Sequence, residues 1–356
     1  MTKKHLTVKE IAHLAGVSIG TVDRVLHGRG EVSAMTKTKI ENIIDVLGYK
    51  PDLLARQLSL NKAYHFRVLL PRADQDSGYW SLCRDGIEAA AKDLQAYRTT
   101  IGIDEFDRYD RSAFRYILDS IAADPGDGLL VAPTLPDELM PVLERFDPDI
   151  PYVFFDGSLD ATKPRGSVGQ DALAAGRVAG RMMSLLSPKA TVLAAITAHA
   201  EDRHLKQRIE GFKAFYGSRT IGKCPEILVR ECPNLEGRED REHFLSALLD
   251  ENPGLGGILV ANASGHFVGE WLVGAGLKEG KPLVSWDLVP ANEEALASGA
   301  VDCIISQQPF EQGRLGLEYL FRAASIGERQ PHRIDLPIEL WFKENLPNHY
   351  WAERRR

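Results

Sequence analysis

The sequence predicts a small all-helical domain followed by a two-lobed α/β core. Three observations lead to this fold class. The chain has 356 residues, which is long for a single domain. Two short helical segments stand close together near its amino end. From Phe66 onward, short apolar runs alternate with amphipathic helical segments, a pattern that favours parallel sheets covered by helices.

Composition excludes several classes of protein. Apolar residues make up 44% of the chain and charged residues 26%, which is typical of a globular protein rather than a disordered or fibrous one. No stretch approaches the roughly 18 apolar residues that cross a bilayer. Lys9, Glu10 and His13 interrupt any signal-peptide core. We therefore expect a cytoplasmic protein with no membrane partner.

The cysteines are scattered through the chain and form no CxxC pair. Their positions are Cys83, Cys224, Cys232 and Cys303. Such spacing favours buried, reduced thiols over a disulfide framework or a zinc site, and we expect no metal.

Charge is distributed unevenly along the chain. Residues 1–62 carry ten Lys and Arg against six Asp and Glu, whereas the remainder accounts for −11 within a whole-chain charge of −7. A basic segment on an acidic body suits phosphate binding, because Lys and Arg displace the counterions of nucleic acid. A solvated charged tail is the alternative interpretation of charge alone.

The basic segment contains a helix-turn-helix pattern. A helix is predicted at 8–15, Gly16 supplies its stop, and Ser18 can cap a second helix at 19–26. The predicted buried residues are Ile11, Ala15, Val17, Val22 and Val25. An ordinary helical hairpin is the alternative, but charge, turn and packing together favour a DNA-binding unit.

Two more helices are predicted before the core. The first covers 36–47 with Gly48 as its stop. The second covers 52–58 after Pro51, and at seven residues it is marginal in isolation. A polar joint follows at 59–62.

These segments resemble those of a known family. TVKEIAHLAGVS from Thr7, GTVDRVL from Gly20 and LGYKPDLLARQL from Leu47 are similar to the headpiece and hinge of LacI/GalR bacterial transcription regulators. ISQQPFEQG from Ile305 and ENLP from Glu344 resemble family landmarks near the carboxyl end. Three positions depart from the family's usual Ser, Asn and Asn, which affects the operator sequence rather than the fold: Asp23, His27 and Asp52.

The resemblance implies a domain organisation and a function. Residues 1–50 would form a three-helix DNA-binding headpiece, 51–62 a hinge helix and linker, and 63–356 a two-lobed, type I periplasmic-binding-protein-like core for effector binding and dimerisation. The chain would cross between the lobes. We expect a sequence-specific transcription regulator, with repression as its output. Its partners would be double-stranded operator DNA, a small-molecule effector and a second copy of the chain, in a homodimer or larger assembly. The expected effector is a monosaccharide or related polyol.

The predicted DNA contacts lie in the headpiece and hinge. They are Thr7, Ser18, Ile19, Gly20, Thr21, Arg24, His27 and Leu58. Ile19, Gly20 and Arg24 would face base edges in the major groove, with Thr21 on a phosphate. Leu58 would act as a minor-groove wedge, although packing on the core is its alternative.

Alternating apolar and helical segments define the elements of the core. The predicted strands are 67–70, 128–131 and 152–155 in one lobe, and 190–196, 257–260, 283–286 and 303–306 in the other. The predicted helices are 79–96, 171–186, 203–216 and 310–323. Loops at the carboxyl ends of such strands would grip a ligand in a cleft between the lobes.

The strand ends carry a candidate effector site. Its members are Tyr79, Trp80, Asp156, Arg208, Asn262, Asp287 and Gln307. Adjacent aromatics could cover the apolar face of a sugar ring, and the polar groups match a polyhydroxylated ligand. Their alternatives are core packing, helix capping and, for Arg208, a surface ion pair with Glu210 or Glu201. Residue by residue the set resembles the contacts of monosaccharide binders, but Gly157 stands where ribose binders tend to have Arg.

Catalytic interpretations find little support. GAGLKEG from Gly274 resembles a dinucleotide fingerprint only superficially, because it ends a predicted helix. His199 and His204 are expected to be solvated. We expect no enzyme activity and no cofactor. The rival functions are a transport binding protein, which requires a signal peptide, and a nucleotide-dependent enzyme on a doubly wound fold.

Overall fold

The amino-terminal region forms a three-helix unit. A computed structural model describes residues 8–26, 30, 32–47, 62–160, 162–199, 202–218, 224–326 and 332–346. The helices are α1 (Val8–Ala15), α2 (Ile19–Leu26) and α3 (Ala34–Leu47). Gly16 adopts a φ of +67° after α1, and the Ser18 hydroxyl accepts from the backbone N–H of Thr21 at 3.1 Å. The predicted helix-turn-helix is confirmed, with α3 starting two residues earlier than predicted.

A small apolar cluster holds these helices together. Its fully buried members are Ile11, Ala12, Ala15, Val22 and Ile40. Ile11, Ala12 and Ala15 lie on one face of α1, and this face packs against Val22 of α2 and Ile40 of α3.

Lobe 1 is a six-stranded parallel sheet flanked by helices. Its strands are β1 (Tyr64–Pro71), β2 (Thr99–Phe106), β3 (Gly128–Val131), β4 (Tyr152–Phe155), β5 (Gly166–Gly169) and β11 (His332–Asp335), in the order β11-β5-β4-β3-β1-β2. Its helices are α4 (Tyr79–Leu94), α5 (Arg111–Ala123), α6 (Pro136–Leu143) and α12 (Pro309–Ile326). Helices α4 and α12 pack closely through Gly86 and Gly313, where an added Cβ would meet opposing backbone at about 2 Å.

Lobe 2 is a second six-stranded sheet. Its strands are β6 (Val192–Thr197), β7 (Glu226–Glu231), β8 (Leu255–Val260), β9 (Leu283–Trp286), β10 (Cys303–Ser306) and β12 (Glu339–Trp341), in the order β12-β10-β9-β8-β6-β7. Only β12 runs antiparallel to its neighbour. Its helices are α7 (Ala172–Leu186), α8 (Arg203–Gly217), α9 (Arg238–Glu251), α10 (Gly265–Gly274) and α11 (Pro290–Ser298).

The chain crosses between the lobes three times. The crossings follow β5, β10 and β11, so lobe 1 receives α12 and β11 from the carboxyl-terminal part of the chain. This confirms that neither lobe is one continuous segment. The carboxyl ends of the parallel strands consequently face the space between the lobes, where ligands bind in open α/β sheets.

Three of the four cysteines are buried. Among the cysteines, Cys83, Cys232 and Cys303 are buried and free, but Cys224 is exposed, so the prediction of burial is wrong for that thiol. Within the described ranges, no helix is both long and apolar enough to traverse a lipid bilayer.

Candidate functional site

The outer face of α2 is a candidate nucleic-acid surface. Ile19 is 47% exposed, and Gly20 and Arg24 are also exposed, whereas Val22 on the opposite face is fully buried. The Ser18 and Thr21 hydroxyls lie 2.9 Å apart at the start of the helix. Three residues with predicted DNA contacts lie outside the described residues: Thr7, His27 and Leu58.

The seven candidate effector residues come together between the lobes. Tyr79, Trp80 and Asp156 reach the cleft from lobe 1, and the other four reach it from lobe 2. All seven line one cavity of about 30 Å³. Since one water needs roughly 10–15 Å³, this closed arrangement has room for about two waters. A larger ligand therefore requires the lobes to separate or the lining to rearrange.

Two buried carboxylates mark the ends of β4 and β9. Asp156 and Asp287 adopt φ values of +68° and +57°, a region that costs most non-glycine residues free energy and is concentrated at functional sites. The Tyr79 hydroxyl donates to Asp156 at 2.7 Å. The backbone N–H and side-chain amide of Gln307 donate to Asp287 at 3.0 and 2.9 Å. The turned backbone thus aims both carboxylates into the cleft.

Arg208 supplies a buried cation between them. Only 2% of Arg208 is exposed, which rules out the surface ion pair with Glu210. Its Nη1 donates to the carbonyl of Ala261 at 2.8 Å, and its guanidinium lies 4.6 Å from the centre of the Trp286 ring. The Nε of Arg208 and the Oδ1 of Asn262 are buried without a hydrogen-bond partner. Nε of Arg208 can donate a hydrogen bond to a hydroxyl group of a ligand, and Oδ1 of Asn262 can accept one.

Tyr79 and Trp80 begin α4, in agreement with the helix predicted from residue 79. They are 5% and 1% exposed and pack edge to face, with ring centres 5.0 Å apart. Most of each ring therefore belongs to the core of lobe 1. Stacking of these rings on a sugar remains a prediction. In the structure, Nε1 of Trp80 donates a hydrogen bond to Asp76 at 2.5 Å.

A charged cluster across the cleft was missed by sequence reasoning. Arg108 of lobe 1 donates to Asp76 of its own lobe and, at 2.5 Å, to Asp202 of lobe 2. His199 of lobe 2 lies 3.0 Å from Asp76. The predicted solvation of His199 is therefore wrong. His204 is also mostly covered, with 18% of its side chain exposed and its Nε2 3.8 Å from Asp156.

Burial and charge together shift the pKa values in the cleft. Burial alone would raise the pKa of Asp76, but Arg108 and His199 hold it well below its usual value. Burial raises the pKa of Asp287 to about 6, against the opposing effects of Arg208 and Gln307. Burial, assisted by Arg208, lowers the pKa of His204 to about 3. At neutral pH the imidazole of His204 is uncharged and can both donate and accept a hydrogen bond.

The site contains no metal-binding arrangement among the described residues. No three His, Cys, Asp or Glu side chains in those ranges are grouped to hold an ion. Carboxylates, amides, a guanidinium and neutral histidine instead offer mixed donors and acceptors, which suits an uncharged ligand rich in hydroxyl groups.

Known protein families match both the amino-terminal helical region and the two-lobed core of the chain. Residues 68–329 match the periplasmic binding protein domain, and residues 7–52 match the bacterial regulatory proteins of the lacI family. The HTH-type transcriptional repressor PurR of Vibrio parahaemolyticus is 28% identical over 208 residues, covering 58% of this chain and 59% of that protein. The ribose operon repressor of Escherichia coli K12 is 29% identical over 216 residues, covering 58% and 60%.

A solved structure extends the likeness to the whole core. GanP, a glucose-galactose binding protein from Geobacillus stearothermophilus, has a TM-score of 0.71 and 23% identity, covering 80% of this chain and 99% of its own. The matched segments span about three fifths of the length of the two repressors. The chain therefore belongs to the periplasmic binding protein domain family, which its core matches, and carries a lacI-family domain of bacterial regulatory proteins at its amino end.

Proposed function

We propose that this protein is a cytoplasmic, dimeric, sequence-specific DNA-binding regulator controlled by a sugar or related polyol. The observation that carries the proposal is the presence, on one chain, of a helix-turn-helix with an exposed recognition face and a two-lobed core with buried polar groups in its cleft. A transport binding protein has no use for the first part. The similarity to two repressors, PurR and the ribose operon repressor, supports repression as the output.

The DNA-binding half rests on the exposed face of α2. Arg24 projects from the side opposite buried Val22, where it can hold a guanine through two hydrogen bonds. Ile19 and Gly20 lie on the same exposed surface and can contact base edges. The basic balance of residues 1–62 favours the phosphate contacts that position such a helix.

The regulatory half rests on contacts that join the lobes. A ligand held by Asp156 of lobe 1 and Arg208 of lobe 2 favours one degree of lobe closure over another. That preference can change DNA affinity only by the difference in ligand affinity between the two states, typically ~1–3 kcal/mol. DNA must change ligand affinity by the same factor.

The proposal is tested by two measurements on the full-length protein. Selection of bound fragments from a random double-stranded DNA library should yield a recurrent two-fold symmetric sequence, as expected for a dimer. A thermal-shift screen with sugars and polyols should raise the unfolding temperature for a restricted set. Recovery of no recurrent sequence would contradict the DNA-binding half. If NAD(P) raises the unfolding temperature and none of the sugars does, the result would favour the alternative function of a nucleotide-dependent enzyme.

A further inference from the structure

A second cavity lies beside the central one, and we call it the side compartment. Its volume is about 140 Å³, compared with about 30 Å³ for the central cavity. By the same measure of roughly 10–15 Å³ per water, it has room for about ten waters. In this closed arrangement, more free space lies in the side compartment than in the cavity lined by the predicted effector residues.

Asp156 and His204 separate the two spaces. Both residues line both cavities. The gap of 3.8 Å between His204 Nε2 and Asp156 Oδ2 is too long for a direct hydrogen bond. A ligand group can therefore contact this pair from either side, and one ligand can contact it from both.

Gly157 leaves the side compartment open. An added Cβ at this position would lie 3.5 Å from Pro133 Cγ and 3.9 Å from His204 Nδ1, which are ordinary van der Waals distances. The φ of Gly157 lies outside the left-handed region, so its backbone does not require glycine. Local conformation thus does not explain the glycine. A larger side chain there would extend towards His204 and occupy space that is now empty.

The lining of the side compartment suits an uncharged, hydroxyl-rich group. Its two arginines are already paired, Arg203 with Asp160 and Arg333 with Asp335, each at 2.5 Å. Asp156 and Asp160 would oppose an anion. The remaining polar lining includes hydroxyl and amide side chains: Ser158, Ser167, Gln170 and Gln207. Gln170 is 8% exposed, and its Oε1 has no hydrogen-bond partner.

We propose that the side compartment receives a second uncharged, polyhydroxylated unit of the effector, so that the effector is a disaccharide rather than a free monosaccharide. This inference rests on the proposed function, because it takes the central cleft to hold the first sugar ring once the lobes have opened to admit it. The Asp156–His204 pair would lie at the junction of the two units. Gly157 would then determine specificity by its lack of a side chain.

Isothermal titration of the full-length protein tests the proposal. The probes are D-glucose and D-galactose, together with maltose, cellobiose, lactose and melibiose, which contain these rings. We expect at least one disaccharide to bind with a Kd at least tenfold below that of either monosaccharide. Gly157→Gln should raise that disaccharide Kd at least tenfold by filling the compartment. Gly157→Ala, which makes only ordinary contacts, provides a smaller substitution should the longer side chain impair folding.

Gly217→Gln is the matched control. Gly217 ends α8, the helix that carries His204, and an added Cβ there meets nothing within 4 Å. This variant should retain the wild-type disaccharide Kd. If the monosaccharides bind as tightly as every disaccharide, the side compartment does not bind a second sugar unit, and the proposed function is left intact. An unchanged disaccharide Kd in Gly157→Gln would lead to the same conclusion. Binding of no sugar at all, with DNA binding retained, would overturn the effector class as well.

Discussion

Arg108 of lobe 1 and Asp202 of lobe 2 are joined by a buried ion pair, with Nη2 and Oδ2 2.5 Å apart. Burial alone would lower the pKa of Arg108, but Asp76 and Asp202 raise it above its usual value. The pair therefore stays ionised, and it links the lobes directly. Ser77 adds a further link, since its backbone N–H donates to Glu236 of lobe 2 at 3.0 Å.

Removing Arg108 should open the cleft. In Arg108→Gln, Asp76 and Asp202 would face each other without their shared cation, and breaking a buried pair in this way costs about 3–5 kcal/mol. We expect a larger radius of gyration in small-angle X-ray scattering of the ligand-free protein. The control is Arg115→Gln, whose arginine is 66% exposed and pairs with Glu138 at the surface. Scattering curves that coincide for wild type and Arg108→Gln would show that this pair does not hold the lobes together.

His204 should make stability depend on pH. Its folded pKa of about 3 lies below the ordinary value of 6.5, so the unfolded chain binds the proton more readily. The contribution of neutral His204 is present above pH 6.5 and is lost as pH falls towards 3, by up to about 1.4 kcal/mol per pH unit. Urea unfolding at several pH values should show a smaller loss below pH 6.5 in His204→Gln. Asp287 acts in the opposite direction, because its raised pKa favours the folded state at low pH.

Parallel slopes for wild type and His204→Gln between pH 6.5 and 4.5 would contradict the buried neutral imidazole. Comparing the two proteins at each pH cancels the contribution of Asp287, which both retain.

Arg24 should carry part of the sequence specificity. Loss of a contact to two atoms of one base costs about 1–3 kcal/mol and relaxes preference at that base pair. Arg24→Ala should therefore weaken binding to the selected DNA sequence and tolerate a change at one position. Lys39→Ala, at an exposed position of α3, is the control for loss of a single charge. Equal weakening for all DNA sequences in Arg24→Ala would assign Arg24 to phosphate instead.

Leu58 should couple the hinge to the minor groove. It lies outside the described residues, and its role rests on the resemblance of 47–58 to the family. An apolar wedge unstacks a base step and bends the duplex, so Leu58→Ala should reduce DNA affinity and DNA bending while effector affinity is retained. Gel-shift titration and circular permutation of the DNA site measure the two effects. Equal losses of DNA and effector affinity would indicate that Leu58 packs on the core.

Much of the fold could be predicted because its signals are local. The β3, β4, β9 and β10 strands match their predicted bounds because each is a short apolar run that is buried on both faces. β2 and β7 lie at sheet edges and are only partly buried, so they lack a continuous apolar run and were missed. β5 (GSVG) and β11 (HRID) escaped prediction because neither contains a run of apolar residues.

The candidate site was only partly predictable, because some of its contacts join residues that are far apart in the sequence. Asp156 and Asp287 directly follow the predicted strands 152–155 and 283–286, so both could be predicted as site residues from the sequence. Arg108 follows the missed strand β2, and its importance depends on Asp202, 94 residues further along the chain. Contacts made only when two lobes close have no local pattern. The proposed role of Gly157 could not be predicted either, because it depends on the space that Pro133 and His204 bound in the folded chain.

Arg208 in the cleft should couple effector binding to DNA binding. The most direct measurement is the affinity of full-length protein for its selected DNA sequence, with and without the sugar identified by thermal shift, in wild type and Arg208→Lys. Lysine keeps the charge but loses the planar donor set that lies over Trp286. We predict that sugar changes wild-type DNA affinity by about 5- to 150-fold. Arg208→Lys should bind DNA normally and lose the response at that sugar concentration. An unchanged response in Arg208→Lys at the wild-type sugar concentration would contradict the claim.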